Sequence, residues 1–309
     1  MSRAEPTASE LVLQGVRGLA RAISRIEDGD RDLAMALARG RSRPRVVGFT
    51  GPPGSGKSTL LDALVTLLRG QGLRLALIAV DPSSPHTGGA LLGDRIRLQR
   101  HAQDPGVYVR SLSARGHLGG LTAQSADVVR ALGGFDFDLV LLETVGVGQS
   151  ELEVAQLADT TVLVLAPGLG DSIQHLKSGV MEVADVICLN KADSALAPRA
   201  LSELNSILRD APDSLWHPPL VGTVASTGSG VAELWSAIER HRTHLAAGEG
   251  DRRGRERIQA EVLELVASWA RSEARARLQE EPELLSGSDP RVIAARLLER
   301  LRPQAPREP

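Results

Sequence analysis

The 309-residue chain predicts an α/β fold with a mostly parallel sheet. Three observations predict it. Seven short apolar runs alternate with helical patterns, which implies parallel strands joined by right-handed crossovers. The runs are nearly continuous in Val, Leu and Ile, as expected for strands covered on both faces. Nearly every polar motif falls directly after a run, where parallel sheets bind ligands.

Residues 1–42 read as an N-terminal helical extension. Leu11, Val12, Gly15, Leu19, Ile23 and Ile26 recur near helical spacing, and Leu33, Met35 and Leu37 follow the Asp28-Gly29-Asp30 break. Residues 43–245 carry the strand-like runs at 45–50, 73–80, 107–110, 138–143, 161–166, 186–190 and 219–224. Residues 246–309 read as a C-terminal helical arm. A polar hinge at 246–255 precedes a helix over 256–281, with Ile258, Val262, Leu265, Val266 and Trp269 on one face, and a short helix over 290–302. That arm either packs on its own domain or joins two copies of the chain.

Composition narrows the function. A net charge of −2 and an aromatic content of 2% argue against nucleic acid and anionic membranes as partners. The one cysteine, Cys188, rules out an internal disulfide and a cysteine-rich metal site; it sits in an apolar run and reads as core. The first thirty residues carry charges throughout, and no apolar stretch approaches eighteen residues, so a cytoplasmic protein without a membrane span is expected. His241 and His244 share a helix face that reads as solvated.

Of 36 Lys and Arg residues, only Lys57, Lys177 and Lys191 are lysines. Two of them stand in nucleotide-binding patterns. Gly51-Pro52-Pro53-Gly54-Ser55-Gly56-Lys57-Ser58-Thr59 follows the first run and opens a helix with Leu60, Leu61, Leu64, Leu67 and Leu68 on its buried face. Such a loop turns backbone N–H groups around phosphate oxygens, and the helix adds its positive end. Lys57 is expected to reach the terminal phosphates and Ser58 to hold Mg²⁺.

Asn190-Lys191-Ala192-Asp193 closes the run at 186–190. Asp193 can accept from both N1–H and the exocyclic amine of guanine, donors that adenine does not offer in that geometry, so the site selects guanine. Asn190 is expected to brace the loop and meet the base edge, with the Lys191 stem along the base plane. Backbone amides near Ser226 and Thr227 are candidates for the guanine carbonyl.

Asp81 and Glu143 end two runs and are expected around Mg²⁺. Asp94, after Thr87–Gly93, either joins the metal shell or orients the attacking water. Gly146 is a candidate γ-phosphate sensor and Gln149 a candidate to position water. Lys177 lies in a glycine-flanked segment, 168–179, and either reaches the nucleotide or a partner in one switch state or is a solvated helix residue.

Val80-Asp81-Pro82-Ser83-Ser84, Thr87-Gly88-Gly89-Ala90-Leu91-Leu92-Gly93-Asp94-Arg95, Glu143-Thr144-Val145-Gly146-Val147-Gly148-Gln149-Ser150-Glu151 and Asn190–Asp193 together resemble the MeaB family of P-loop GTPases, relatives of the methylmalonic aciduria type A protein. The resemblance covers roughly residues 10–270 and implies the SIMIBI class of the fold. It implies a GTPase chaperone that gates adenosylcobalamin loading and reactivation of an acyl-CoA mutase such as methylmalonyl-CoA mutase. A cobalamin adenosyltransferase as a further partner, a homodimer joined through helical extensions, and GTP or GDP with Mg²⁺ as ligands are expected on the same ground. The resemblance also places Lys57 and Ser58 on phosphate and Mg²⁺, Asp81, Asp94 and Glu143 around the metal, and 168–179 as a third switch segment containing Lys177. The competing readings are a GTP- or ATP-dependent protein kinase of an amino-acid transport system, a nickel-delivery GTPase, and a binding module without catalysis.

Overall fold

Thr7 opens the first helix with a capping box. Its amide donates to Glu10 Oε2 at 2.7 Å, while its hydroxyl accepts from the Glu10 amide. The backbone hydrogen bond from Thr7 holds the Glu10 carboxyl below the usual carboxylate range. Helices α1 (Ala8–Leu13), α2 (Gly15–Glu27) and α3 (Arg31–Ala38, capped by Asp30 on the Leu33 amide) follow. The helical extension expected over 1–42, with its break at Asp28–Asp30, is thus three helices among the described residues. The structure is a computed structural model, and it describes residues 5–39, 43–81, 99–101, 103–113, 121–144, 154–168, 183–209, 215–286 and 289–301.

Strand β1 (Arg45–Thr50) leads into α4 (Lys57–Gly70) and β2 (Leu75–Asp81). Then come β3 (Val107–Ser113), α5 (Leu121–Gly133), β4 (Leu139–Thr144), β5 (Thr160–Leu165), β6 (Val186–Leu189), α6 (Ala197–Arg209), β7 (Leu220–Gly222) and α7 (Val231–His244). The strands form one seven-stranded sheet in the order β3-β2-β4-β1-β5-β6-β7. Every pairing between these strands is parallel, so the mostly parallel sheet of the sequence reading is wholly parallel among the described residues.

Both faces of the sheet are covered, which is why its strands are apolar without alternation. On one face Val46, Ile78, Val140 and Leu142 pack with α5 and with Leu11, Leu19, Ile23, Ile26, Leu33 and Leu37 of the three N-terminal helices. On the other, Val47, Phe49, Leu77 and Leu141 pack with Leu60, Leu61, Leu64 and Leu68 of α4 and with Leu234 and Ile238 of α7. A smaller cluster joins Leu163 and Ile187 to Leu204 of α6.

The chain divides into two compact units, Met1–Arg257 and Ile258–Pro309. After α7 the backbone continues as a π-turn (Leu245–Glu249) into α8 (Gly250–Glu280). The polar hinge expected at 246–255 is thus helical in its backbone, with Gly248 (φ 136°) as the kink. In the second unit Ile258, Val262, Val266 and Trp269 are exposed. A short 3-10 turn (Pro282–Ser286) and α9 (Pro290–Leu301) follow.

Candidate nucleotide site

The loop between β1 and α4 is shaped by two glycines that no other residue could replace. Gly51 has φ 137°, and a Cβ there would collide with the Val164 carbonyl of β5. Gly56 has φ 92° and caps α4; a Cβ there would collide with the Asn190 side-chain amide. The loop is therefore held against β5 on one side and the Asn190–Asp193 loop on the other.

Lys57 is buried and lies back across the loop. Its ammonium donates to the Gly51 carbonyl at 2.7 Å and the Pro52 carbonyl at 3.3 Å. One residue on, the Ser58 hydroxyl donates to Glu143 Oε1 at 2.7 Å. Glu143 is buried at the end of β4, where it pairs with Phe49 in register. The start of α4 and the end of β4 thus deliver a hydroxyl and a carboxylate to one point, the hard-oxygen donor set that Mg²⁺ prefers. Nearby, the buried hydroxyls of Thr50, Ser55 and Thr144 have no hydrogen-bond partner. Buried hydroxyls left unpaired are costly and point to a missing ligand. A glycine cradle, an unpaired Ser55 and a Ser58–Glu143 pair fit a magnesium-bound nucleotide phosphate chain.

Asn190 ties the phosphate loop to the strand ends beyond it. Its Nδ2 donates to the Ser55 carbonyl at 2.9 Å, and its Oδ1 accepts from the Ala225 amide at 3.1 Å and the Thr223 hydroxyl at 3.2 Å. Asn190 therefore links the two loops, and its acceptor is spent on the protein. Lys191 stands at φ 58°, a left-handed conformation unusual for a side-chain-bearing residue, and donates to the Gly54 carbonyl at 2.8 Å. Two of the three lysines thus grip carbonyls of the same loop. Asp193 is exposed. In the 223–230 turn the Thr227 amide and hydroxyl both donate to the Val224 carbonyl, each at 3.1 Å, and Ser226 is exposed beside it.

Other expected site residues are brought together less completely. Asp81 ends β2, next to β4, but its side chain lies outside the described residues, as do Asp94, Gly146, Gln149 and Lys177. The solvated reading of His241 is overturned. His241 is fully buried, with Nδ1 2.9 Å from the Thr160 hydroxyl, Nε2 3.3 Å from Asp185 Oδ1 and the Trp216 ring tilted against it at 4.9 Å between centroids. Trp216, arriving from a distant segment, covers the face that helical spacing alone leaves open. This cluster sits at the first residue of β5, the opposite end of the strand from the phosphate loop. Among the described residues no group of three or more His, Cys, Asp or Glu could hold a metal ion. No helix among them is long and apolar enough to cross a membrane.

The profile of the family described as "Methylmalonyl Co-A mutase-associated GTPase MeaB" matches residues 19–279. A Pyrococcus abyssi protein carrying a GTPase name is 45% identical over 259 residues, covering 81% of this chain and 80% of its own. The mouse protein named "Methylmalonic aciduria type A homolog, mitochondrial" is 40% identical over 209 residues, covering 66% of this chain and 50% of that protein, so the likeness spans half of the mouse relative. A solved structure titled as a LAO/AO transport system kinase matches with a TM-score of 0.70 at 25% identity, covering 98% of this chain and 100% of that one.

Proposed function

The chain belongs to the MeaB family and is a P-loop GTPase, and from that premise we propose that it is a chaperone whose GTP hydrolysis gates adenosylcobalamin loading and reactivation of a methylmalonyl-CoA-type mutase. The observation that supports this reading is the Asn190 bridge, which ties the phosphate loop to the loop proposed to read the base, in a chain whose family description names that mutase.

Hydrolysis is phosphoryl transfer to water, driven by positioning and charge neutralisation. Gly51–Gly56 and the start of α4 wrap the phosphates with backbone amides. Lys57 exchanges the Gly51 and Pro52 carbonyls for terminal phosphate oxygens. Ser58 and Glu143, with Asp81 and Asp94, would hold Mg²⁺. The ion supplies charge neutralisation on the phosphate oxygens when bound. Asp193 accepts from N1–H and the exocyclic amine of the base, and amides near Ser226 and Thr227 meet its carbonyl. Gly146 senses the γ-phosphate, Gln149 and Asp94 set the attacking water, and Lys177 completes the site in one switch state.

The exposed Ile258–Val262–Val266–Trp269 stripe supports a homodimer joined through the C-terminal helices. A cobalamin adenosyltransferase is the second expected partner, and the setting is cytoplasmic. Phosphate release from GTP, measured with each candidate mutase at saturation, tests the proposal. Acceleration by one mutase supports it; unchanged rates with every mutase remove it.

A second reading rests on the solved structure titled as a transport system kinase. Labelled GTP separates the two: label on a transport protein supports a kinase, and free phosphate supports the chaperone.

A further inference from the structure

Thr50 ends β1 and Thr144 ends β4, and both are fully buried. The two strands lie side by side with Phe49 paired to Glu143, so Thr50 and Thr144 form the next rung. Alternation along a strand settles which way they face. Phe49 and Leu141 pack toward α4, and Glu143 meets Ser58 on that side. Val46 and Leu142 pack on the opposite face, under α5 and the N-terminal helices, and Thr50 and Thr144 follow them. The two hydroxyls therefore stand behind the sheet from α4 and its phosphate loop. Among the described residues neither hydroxyl has a hydrogen-bond partner. The adjacent strands place apolar residues beside them, Val80 of β2 in register with Thr144 and Leu163 of β5 in register with Thr50. Ser125 of α5, on the helix that covers this face, is buried with a third unpaired hydroxyl.

We propose that Thr50 and Thr144 hold a buried water that bridges the ends of β1 and β4. A buried hydroxyl left unpaired costs stability, and two on one rung double the cost. Neighbouring strands stand about 4.8 Å apart, a span that one water can bridge with a hydrogen bond to each side. Water also suits the chemistry of the rung. Its hydroxyls both donate and accept, and they carry no charge to hold an ion. Gly51 follows Thr50 and Glu143 precedes Thr144. The bridge therefore extends the β1–β4 ladder by one rung, at the point where the phosphate loop leaves one strand and the carboxylate bonded to Ser58 stands on the other. It fixes the distance between them from the far side of the sheet. This inference is independent of the mutase reading.

The test is urea unfolding of the full chain, of Thr50→Val, of Thr144→Val and of the double variant, with a crystal structure of the parent at a resolution that shows waters. Valine keeps the shape of threonine and removes the hydroxyl. Each single variant is expected to raise the unfolding constant by about fivefold or more, the scale of losing a water-held hydrogen bond. Either substitution releases the shared water, so the double variant is expected within about twofold of the less stable single. Singles that leave the constant unchanged or lower it mean that the hydroxyls bind nothing, and they overturn the inference. Effects that multiply in the double variant mean separate partners and overturn it too. If a valine variant does not fold, the crystal decides. One water within about 3.2 Å of both hydroxyls supports the bridge. Hydroxyls bonded to protein groups, to each other, to separate waters or to no water overturn it.

Discussion

Ser58 and Glu143 are joined by a 2.7 Å hydrogen bond from hydroxyl to carboxylate, across 85 residues of sequence. The serine opens α4 and the glutamate ends β4, and the parallel β1–β4 pairing brings the two ends together. These are the two oxygens that the proposed Mg²⁺ site would use, and here they are bonded to each other.

Replacing Glu143 with Gln keeps the size and a hydrogen-bonding oxygen but removes the charge that Mg²⁺ seeks. Hydrolysis is expected to fall by about a hundredfold or more, the scale of losing one preorganised electrostatic contact. GDP binding without Mg²⁺ is expected to change by no more than about threefold, since the lost charge acts through the metal. Phosphate release and calorimetry with and without Mg²⁺ check both.

Asp193→Asn alters the base rather than the phosphates. The amide offers one acceptor for N1–H and one donor, which matches the C2 carbonyl of xanthine in place of the guanine amine. GTP affinity is expected to drop by about a hundredfold or more while XTP affinity rises, because a site built to pair with a given donor and acceptor pattern rejects the base that leaves it mismatched. Competition binding with the two nucleotides reads the exchange.

Gly56→Ala places a Cβ against the Asn190 amide at φ 92°. Left-handed strain costs an L-residue about 1–2 kcal/mol before any collision. The expected outcome is a folded chain that has lost nucleotide binding by calorimetry, because the loop must leave Asn190 to relieve the clash.

Burial pushes the Cys188 thiol up to about 12 and the Tyr108 hydroxyl up to about 12. In the unfolded chain both ionise earlier, near about 8.5 and 10. The folded form therefore holds these protons longer, and the stability they contribute is whole below about pH 8.5 and is lost as pH rises toward 12, at up to about 1.4 kcal/mol per pH unit for each group. Urea unfolding between pH 8 and 11 should show the decline, and Cys188→Ala should delay its onset toward the tyrosine range.

What could be read from the sequence was contiguous. The phosphate loop and Asn190–Asp193 are local strings, and the strands announced themselves as unbroken apolar runs. Thr223 could not be read, because its partners lie some thirty residues back and a single hydroxyl carries no pattern. His241 was misplaced because helical spacing gives a face but not its neighbour, and Trp216 arrives from a different segment. The polar 246–255 stretch looked like a break, yet only Gly248 leaves the helix. The arrangement of Ser58 against Glu143 was expected as shared metal duty; that they also bond each other follows only from strand order.

The three N-terminal helices have a practical consequence. Their Leu11, Leu19, Ile23, Ile26, Leu33 and Leu37 roof the sheet over Val46, Ile78 and Val140. Trimming the chain to begin at β1 would not yield a minimal nucleotide domain; it would strip the lid from an oily floor, and the shortened protein should come out of the cell as aggregate.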